Sequence, residues 1–164
     1  MAETAEVYVT RIAKPVISNV TLGNINYNTV PYSFKYSFGI PEENLKCEVS
    51  LGYANIWQTY ITEEYTTQND VKTGEINFDL SDRTTNLIEN LYNKVITNRY
   101  VKPDGQLKIK LSSVSLPECY AENIIDFKYN FLTVFNPPNI RIFSEPEKNY
   151  YNPDDSFKIE FGSP

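Results

Sequence analysis

The residue types that most often carry out catalysis are scarce in this sequence of 164 residues. It contains no histidine, two cysteines and six glycines. The lack of histidine excludes Ser-His and Cys-His nucleophile pairs and every histidine-bearing metal site. Two distant cysteines cannot form a structural zinc site, and the scattered glycines do not form a phosphate-binding loop. Carboxylates are therefore the side chains left for acid–base chemistry or metal binding.

The carboxylates occur in four short clusters. A glycosidase needs two carboxylates that converge on one sugar, and the spacing of these clusters does not predict convergence. Residues 152–155 could form a calcium-binding loop, but they lack its alternating oxygen ligands and are typical of an ordinary turn. We interpret the clusters as solvated loop charges and expect no catalytic residue, no metal and no cofactor. They are Glu42 with Glu43, Glu63 with Glu64, Glu145 with Glu147, and Asp154 with Asp155.

Aromatic residues are the second group with a potential function. The chain has 13 tyrosines, 9 phenylalanines and one tryptophan. Exposed tyrosines are good contact residues for protein and sugar surfaces, and we expect Tyr150 and Tyr151 to contact a partner. Trp57 is predicted to be a core residue packed between two sheets, with a ligand platform as the alternative.

The charge of the chain limits its partners. With 21 acidic and 15 basic residues the net charge is −6, whereas nucleic acids and anionic membranes attract positive charge. We expect no nucleic-acid partner and no membrane insertion, since no stretch approaches the ~20 apolar residues of a membrane span. Residues 1–14 lack the pattern of a secretory signal, which predicts synthesis in a cytoplasm. Cys47 and Cys119 are predicted to be reduced, with one disulfide as the alternative.

A segment near the start of the chain returns near its end. Residues 15–41 and residues 138–164 align without a gap at an offset of 123, with identical residues at ten of 27 positions. Internal repetition of this kind indicates a tandem architecture. The identical pairs include Pro15 with Pro138, Asn26 with Asn149, Tyr27 with Tyr150, Phe34 with Phe157, and Gly39 with Gly162.

Alternation of apolar and polar residues predicts a series of strands. The clearest case is residues 32–38, whose aromatic side chains share one face while Ser33, Lys35 and Ser37 share the other. Residues 66–72 are predicted to be a polar loop, and residues 116–122 a connection. The predicted strands are residues 16–22, 32–38, 45–53, 56–65, 74–80, 106–113 and 124–135.

The apolar spacing changes from two to three and four residues at one place. Residues 83–98 are predicted to form an amphipathic helix that closes one end or flank of the sheets, with Ser81 or Asp82 as its N-cap. Its apolar face consists of Leu87, Ile88, Leu91, Tyr92 and Val95. The sequence therefore predicts a mainly β fold, an antiparallel β-sandwich with one inserted helix at about residues 83–98.

The repeat divides the chain into three parts. Residues 15–137 are predicted to form one sandwich module, and residues 138–164 the start of a second, truncated repeat that follows a stiff proline joint. Residues 1–14 are predicted to be an N-terminal docking strand or tail. Within them, Val7, Tyr8 and Val9 alternate as in a strand, which either forms an edge of its own domain or is given to a neighbouring subunit by edge addition. We expect these three residues to contact a partner.

The short strands, the single tryptophan and the proline-led repeat of about 120 residues resemble tandem immunoglobulin-like or fibronectin-III-like modules. The immunoglobulin Cys…Trp…Cys signature is not met. The segments KYSFG (residues 35–39), INFDL (76–80), LIENLYN (87–93) and GQLKIKL (105–111) resemble the repeated β-sandwich modules of bacteriophage tail and virion structural proteins.

This resemblance implies a non-enzymatic structural protein located in the virion, as part of a tail, a fibre or a capsid decoration. Its partners would be other virion proteins or copies of itself, and a host-surface protein or glycan. The alternative is a bacterial cell-surface adhesin or carbohydrate-binding module. A third hypothesis is an accessory domain of an enzyme, or a hydrolase that uses carboxylates.

Overall fold

The computed structural model describes residues 13–39, 44–66, 70–98 and 102–131, and the backbone of residues 139–142 and 159–162. These residues form nine strands and one helix. In chain order they are β1 (Val16–Leu22), β2 (Thr29–Ser37), β3 (Leu45–Tyr53), β4 (Ile56–Tyr65), β5 (Asp70–Asn77), α1 (Asn86–Thr97), β6 (Asp104–Ser113), β7 (Tyr120–Lys128), β8 (Asn139–Ile142) and β9 (Ile159–Gly162).

The first seven strands form two antiparallel sheets that pack face to face. The first sheet has the order β1-β2-β5, and the second has the order β4-β3-β6-β7. The predicted fold class is confirmed: the chain is an immunoglobulin-like antiparallel β-sandwich with one helix inserted, here between β5 and β6. Such a sandwich buries one face of each sheet, which is why the strands alternate.

Alternating side chains from both sheets fill the core. Along β2 the predicted facing is confirmed, because Tyr32, Phe34 and Tyr36 are buried. Burial of each large apolar side chain contributes about 1.5–3 kcal/mol. From the second sheet the core receives Leu45, Cys47, Val49 and Leu51 of β3 and Leu107, Ile109 and Leu111 of β6.

Two edge strands differ from the prediction. Strand β5 begins at Asp70, within the predicted polar loop, and ends at Asn77, while Phe78 and Leu80 are buried beyond it. Strand β7 begins at Tyr120 and includes the last three residues of the predicted connection. Both strands lie at sheet edges, where hydrogen bonds to one neighbour form the strand and polar side chains remain in water. Their polar ends therefore carry no apolar alternation.

The helix is shorter than predicted and has a different N-cap. It spans Asn86–Thr97, and Thr85 is its N-cap, with its hydroxyl accepting a bond of 3.3 Å from the backbone N–H of Ile88. The predictions of Ser81 or Asp82 were wrong, because the backbone N–H of Ser81 binds the Asp79 carboxylate at 2.8 Å in a turn that precedes the helix. The predicted apolar face is largely confirmed: Leu87, Ile88, Leu91 and Val95 are buried and Tyr92 is half-buried, and the helix packs against β3 and β4.

The chain enters and leaves the sandwich at opposite ends. At the entry end, the Cys119 thiol, just before β7, lies 3.7 Å from the carbonyl oxygen of Ala13, just before β1. Strand β7 then runs for nine residues, or about 30 Å, to the exit end. There the backbone N–H of Tyr129 donates to the carbonyl of Pro103 at 3.0 Å.

Strands β8 and β9 lie in the part of the sequence that repeats β1 and β2. They pair antiparallel, with Ile140 opposite Phe161. At the offset of 123, Ile140 corresponds to Ile17, which pairs with Tyr36, whereas Phe161 corresponds to Phe38. The register of the second pair is therefore shifted by two residues, and an even shift preserves which side chains share a face. The predicted proline joint lies outside the described residues.

Candidate functional site

The five predicted contact residues belong to the two ends of the sequence. Val7, Tyr8 and Val9 near the start of the chain, and Tyr150 and Tyr151 near its end, lie outside the described residues. The candidate surfaces lie on other parts of the chain, in the sandwich.

Trp57 lies on the outer face of the second sheet, so the prediction that it packs between the sheets was wrong. It pairs across the strands with Gly52, and its indole covers the space that a side chain would occupy. A Cβ atom at Gly52 would lie 2.8 Å from the indole ring. Glycine at this position therefore lets the indole lie flat against β3.

A β-bulge explains why the sequence pattern failed for Trp57. Ser50 pairs with Thr59, but the adjacent Val49 pairs with Ile61, so Tyr60 is an extra residue in β4. A bulge of this kind reverses which face the following side chains occupy. Trp57 and Ile61, which strict alternation places on one face, consequently lie on opposite faces. The adjacent apolar residues Tyr60 and Ile61 are a signal in the sequence that is consistent with such a break.

Cations and aromatic rings pair along this outer face. The ammonium group of Lys108 lies 4.2 Å from the centre of the Trp57 ring, and that of Lys110 lies 5.0 Å from the centre of the Tyr120 ring. Each such contact contributes about 0.5–1 kcal/mol at an exposed site. Tyr120 is 44% exposed and Ile124 is 46% exposed. The face therefore combines aromatic, aliphatic and basic groups.

A shallow depression of about 300 Å³ lies between the start of β4 and the start of the helix. Its lining contains no charged side chain among the described residues, and it presents the indole edge together with amide and hydroxyl groups. It could hold a neutral polar group better than an ion. The lining residues are Ile56, Trp57, Gln58, Thr84, Thr85, Asn86 and Leu87.

An ion pair joins the two sheets along one side of the sandwich. Lys72 of β5 lies 2.8 Å from the carboxylate of Glu63 of β4, and the Tyr65 hydroxyl donates to the same carboxylate at 2.9 Å. Hydrogen bonds from Lys72 and Tyr65 lower the pKa of Glu63. The neighbouring Glu64 pairs across the strands with Lys46, on the outer face. Glu63 and Glu64 therefore point to opposite faces of a strand and do not form a catalytic pair, and they are not loop residues as we expected.

The thiol beneath this ion pair is not activated. Burial raises the pKa of Cys47 to about 11, so the thiol stays protonated at neutral pH and is a poor nucleophile. Both cysteines are free thiols, as predicted. The other three carboxylate clusters of the sequence prediction lie outside the described residues.

Strand β5 has one side without a strand partner among the described residues. It forms the end of the first sheet and pairs with β2 over eight consecutive positions without a register shift. The side chain of Val71, the second residue of the strand, is 53% exposed. A regular, unprotected edge strand is a template for pairing with another chain.

The described ranges lack the side-chain groups of a metal site and the long apolar helix of a membrane span. No group of three or more acidic, cysteine or histidine side chains there could hold a metal ion. The same ranges contain no helix that is long and apolar enough to cross a membrane.

Comparison with known proteins assigns this chain to no family. No protein-family model matches this chain, and no curated protein matches it. Among solved structures, the solution structure of a protein from Arabidopsis thaliana is similar over 77% of this chain and 89% of that chain, with 17% sequence identity and a TM-score of 0.39. Similarity at this level carries no argument about function.

Proposed function

We propose that this protein is a non-enzymatic structural component of a bacteriophage particle, part of a tail, a fibre or a capsid decoration. In this role the sandwich is one module of a linear array. It attaches to other virion proteins or to copies of itself, and its outer surfaces face the host. The assignment to a phage rests on the resemblance of the sequence to virion modules.

The observation that carries the array is the placement of the two chain ends. The chain enters beside Cys119 and leaves beside Tyr129, at opposite ends of the sandwich. Modules joined through such ends extend in a line, because each occupies its own length before the next begins. The pairing of β8 with β9 in the repeated segment supports a second module of the same kind.

The test is attachment of the protein to particles. We expect that removal of residues 1–12 leaves the melting temperature of the sandwich nearly unchanged, because the contact between Ala13 and Cys119 remains. The shortened protein is expected to be lost from particles that are purified from infected cells. Unchanged incorporation, or a large fall in melting temperature, would contradict a docking role for this segment.

A second candidate is a carbohydrate-binding module, as in the adhesin alternative, and the depression beside Trp57 favours it. Sugars stack on aromatic rings and form hydrogen bonds with amides and hydroxyls, and Trp57, Gln58 and Asn86 provide these groups. Because Trp57 is the one tryptophan, its fluorescence reports directly on this site. Saturable quenching or a spectral shift on titration with oligosaccharides, absent in an Asn86→Ala variant, would favour this candidate. An unchanged spectrum would remove it.

A further inference from the structure

We propose that the free side of β5 receives the N-terminal strand of a second copy of this chain, by addition of residues 6–12 to the first sheet. The proposal rests on the proposed function, since it names the surface through which copies of the protein would assemble. It is carried by the geometry of the four edge strands and by the chemistry of β5.

Three of the four edge strands are poor acceptors. Strand β1 is interrupted, because its register shifts between Ser18 and Thr21 and Asn19 has a φ of 50°. Strand β4 contains the bulge at Tyr60, and bulges disfavour edge pairing. Strand β7 contacts β1 across the two sheets. Strands β5 and β7 are both regular, but β5 lacks the contacts that β7 makes with β1 and has no strand partner on its outer side within the described residues. One side-chain ion pair, between Lys72 and Glu63, joins it to β4.

The hydrogen bonds of β5 show which of its backbone groups face outward. The N–H of Phe78, just after the strand, donates to Asn28 at 3.0 Å on the side of β2. The N–H of Val71 instead donates to the side chain of Asp70 at 2.7 Å. Because backbone groups alternate along a strand, the N–H groups of Thr73 and Glu75 point outward together with that of Val71. The N–H groups of Thr73 and Glu75 can donate to an added strand directly, whereas that of Val71 would first have to release the Asp70 carboxylate.

The length and charge of residues 6–12 fit this edge. Seven extended residues span about 23 Å, and the eight residues of β5 span about 26 Å. Exposed acidic residues lie near both ends of β5, Asp70 at one end and Glu75 near the other. Arg11 therefore meets a carboxylate whichever way the added strand runs. Lys72 does not oppose this contact, because it is paired with Glu63.

A second copy is the better source of the strand than the same chain. Ala13 lies beside Gly39 and Cys119, on the side of the sandwich where β1 and β7 meet. Strands β1 and β2 stand between that side and β5 in the first sheet. A strand from the same chain would have to cross over the sheet, whereas a strand from a neighbouring copy can approach the free side directly.

The experiment compares two valines that are equally exposed on opposite edges of one sheet. Val71 of β5 is 53% exposed and Val16 of β1 is 54% exposed. In the full-length chain we expect Val71→Lys to weaken self-association roughly tenfold or more, measured as Kd by sedimentation velocity. We expect Val16→Lys to leave the Kd unchanged. Both variants keep their melting temperatures, because neither side chain is buried.

An experiment that mixes two variants tests the donor strand, residues 6–12, and the acceptor strand, β5, separately. Val9→Asp removes the donor strand and, like Val71→Lys, is expected to weaken self-association. A mixture of the two variants is expected to form a heterodimer, since one retains an intact donor and the other an intact acceptor. A wild-type chain that stays monomeric at high concentration, equal effects of Val16→Lys and Val71→Lys, or no heterodimer would each overturn the proposal.

The outcomes are separable from those of the proposed function. If the protein is found in particles and Val71→Lys has no effect on self-association, this inference fails and the virion role stands. If the chain self-associates through β5 but is absent from particles, the virion role fails and this inference stands.

Discussion

Gly52 and Trp57 fix each other's position on the outer face of the second sheet. The indole lies over the glycine and beneath the Lys108 ammonium, so a side chain at position 52 would displace it. The polar groups of the nearby depression depend on this placement, because the indole edge forms part of its lining. The absence of a Cβ atom at Gly52 therefore lets Trp57 form a flat aromatic surface on the outer face of the second sheet.

We expect Gly52→Ala to lift the indole away from β3. The added methyl group would lie within 3 Å of the ring, and overpacking of this kind costs about 1–3 kcal/mol. The fluorescence of Trp57 is expected to shift to longer wavelength as the ring enters water. The control is Gly52→Ala in a Trp57→Phe background, where the smaller ring reduces the loss of stability. Unchanged emission and stability would contradict the packing of Trp57 on Gly52.

At the scale of elements, the helix begins after Thr85, whose side chain accepts a hydrogen bond from the backbone of the first turn. Thr85 caps the helix, whereas Ser81 belongs to the preceding turn. We expect Thr85→Ala to lower the free energy of unfolding by about 0.5–2 kcal/mol. Ser81→Ala is the matched control and is expected to change it by less than about 0.5 kcal/mol. If urea unfolding showed equal losses of unfolding free energy in Thr85→Ala and Ser81→Ala, the helix would begin closer to Ser81.

The ion pair between β4 and β5 makes a contribution to stability that depends on pH. Because the pKa of Glu63 is lowered in the folded state, its carboxylate stabilises the fold above the unfolded-state pKa of about 4.3. This stability is lost as the pH falls through the lower pKa of the folded state.

We expect Glu63→Gln to cost about 0.2–1 kcal/mol at pH 7, as is usual for an exposed pair, and the cost to disappear in acid. Urea unfolding of the wild type and of Glu63→Gln at a series of pH values measures this difference in unfolding free energy. Glu64→Gln is the control, since the ion pair with Lys72 is formed by Glu63. If the loss of unfolding free energy in Glu63→Gln were the same at every pH, the ion pair with Lys72 would not be the source of that loss.

Strands with apolar alternation along their whole length could be predicted from the sequence, and the polar ends of strands could not. Residues 45–53 and 56–65 form strands with the predicted bounds, because one buried face imposes the alternation. The starts of β5 and β7 were missed, since the polar end of an edge strand is defined by backbone hydrogen bonds that leave its side chains in water. Trp57 was placed on the wrong face because one extra residue in β4 changes the facing without changing the composition.

At the scale of the whole molecule, the organisation of the chain carries the proposed role. The chain enters the sandwich at one end and leaves it at the other. The repeated segment also forms an antiparallel pair of strands, with its register shifted by two residues. In the proposed role, modules with this organisation would extend in a line, and copies of the protein would attach side by side through the free side of β5.

The central claim, that this protein is a structural part of a phage particle, is tested most directly by quantitative mass spectrometry of purified particles. We expect the protein in a fixed ratio to the major particle proteins, and we expect the ratio to survive washing in high salt. A protein that is abundant in the lysate of infected cells but absent from the particles would contradict the claim.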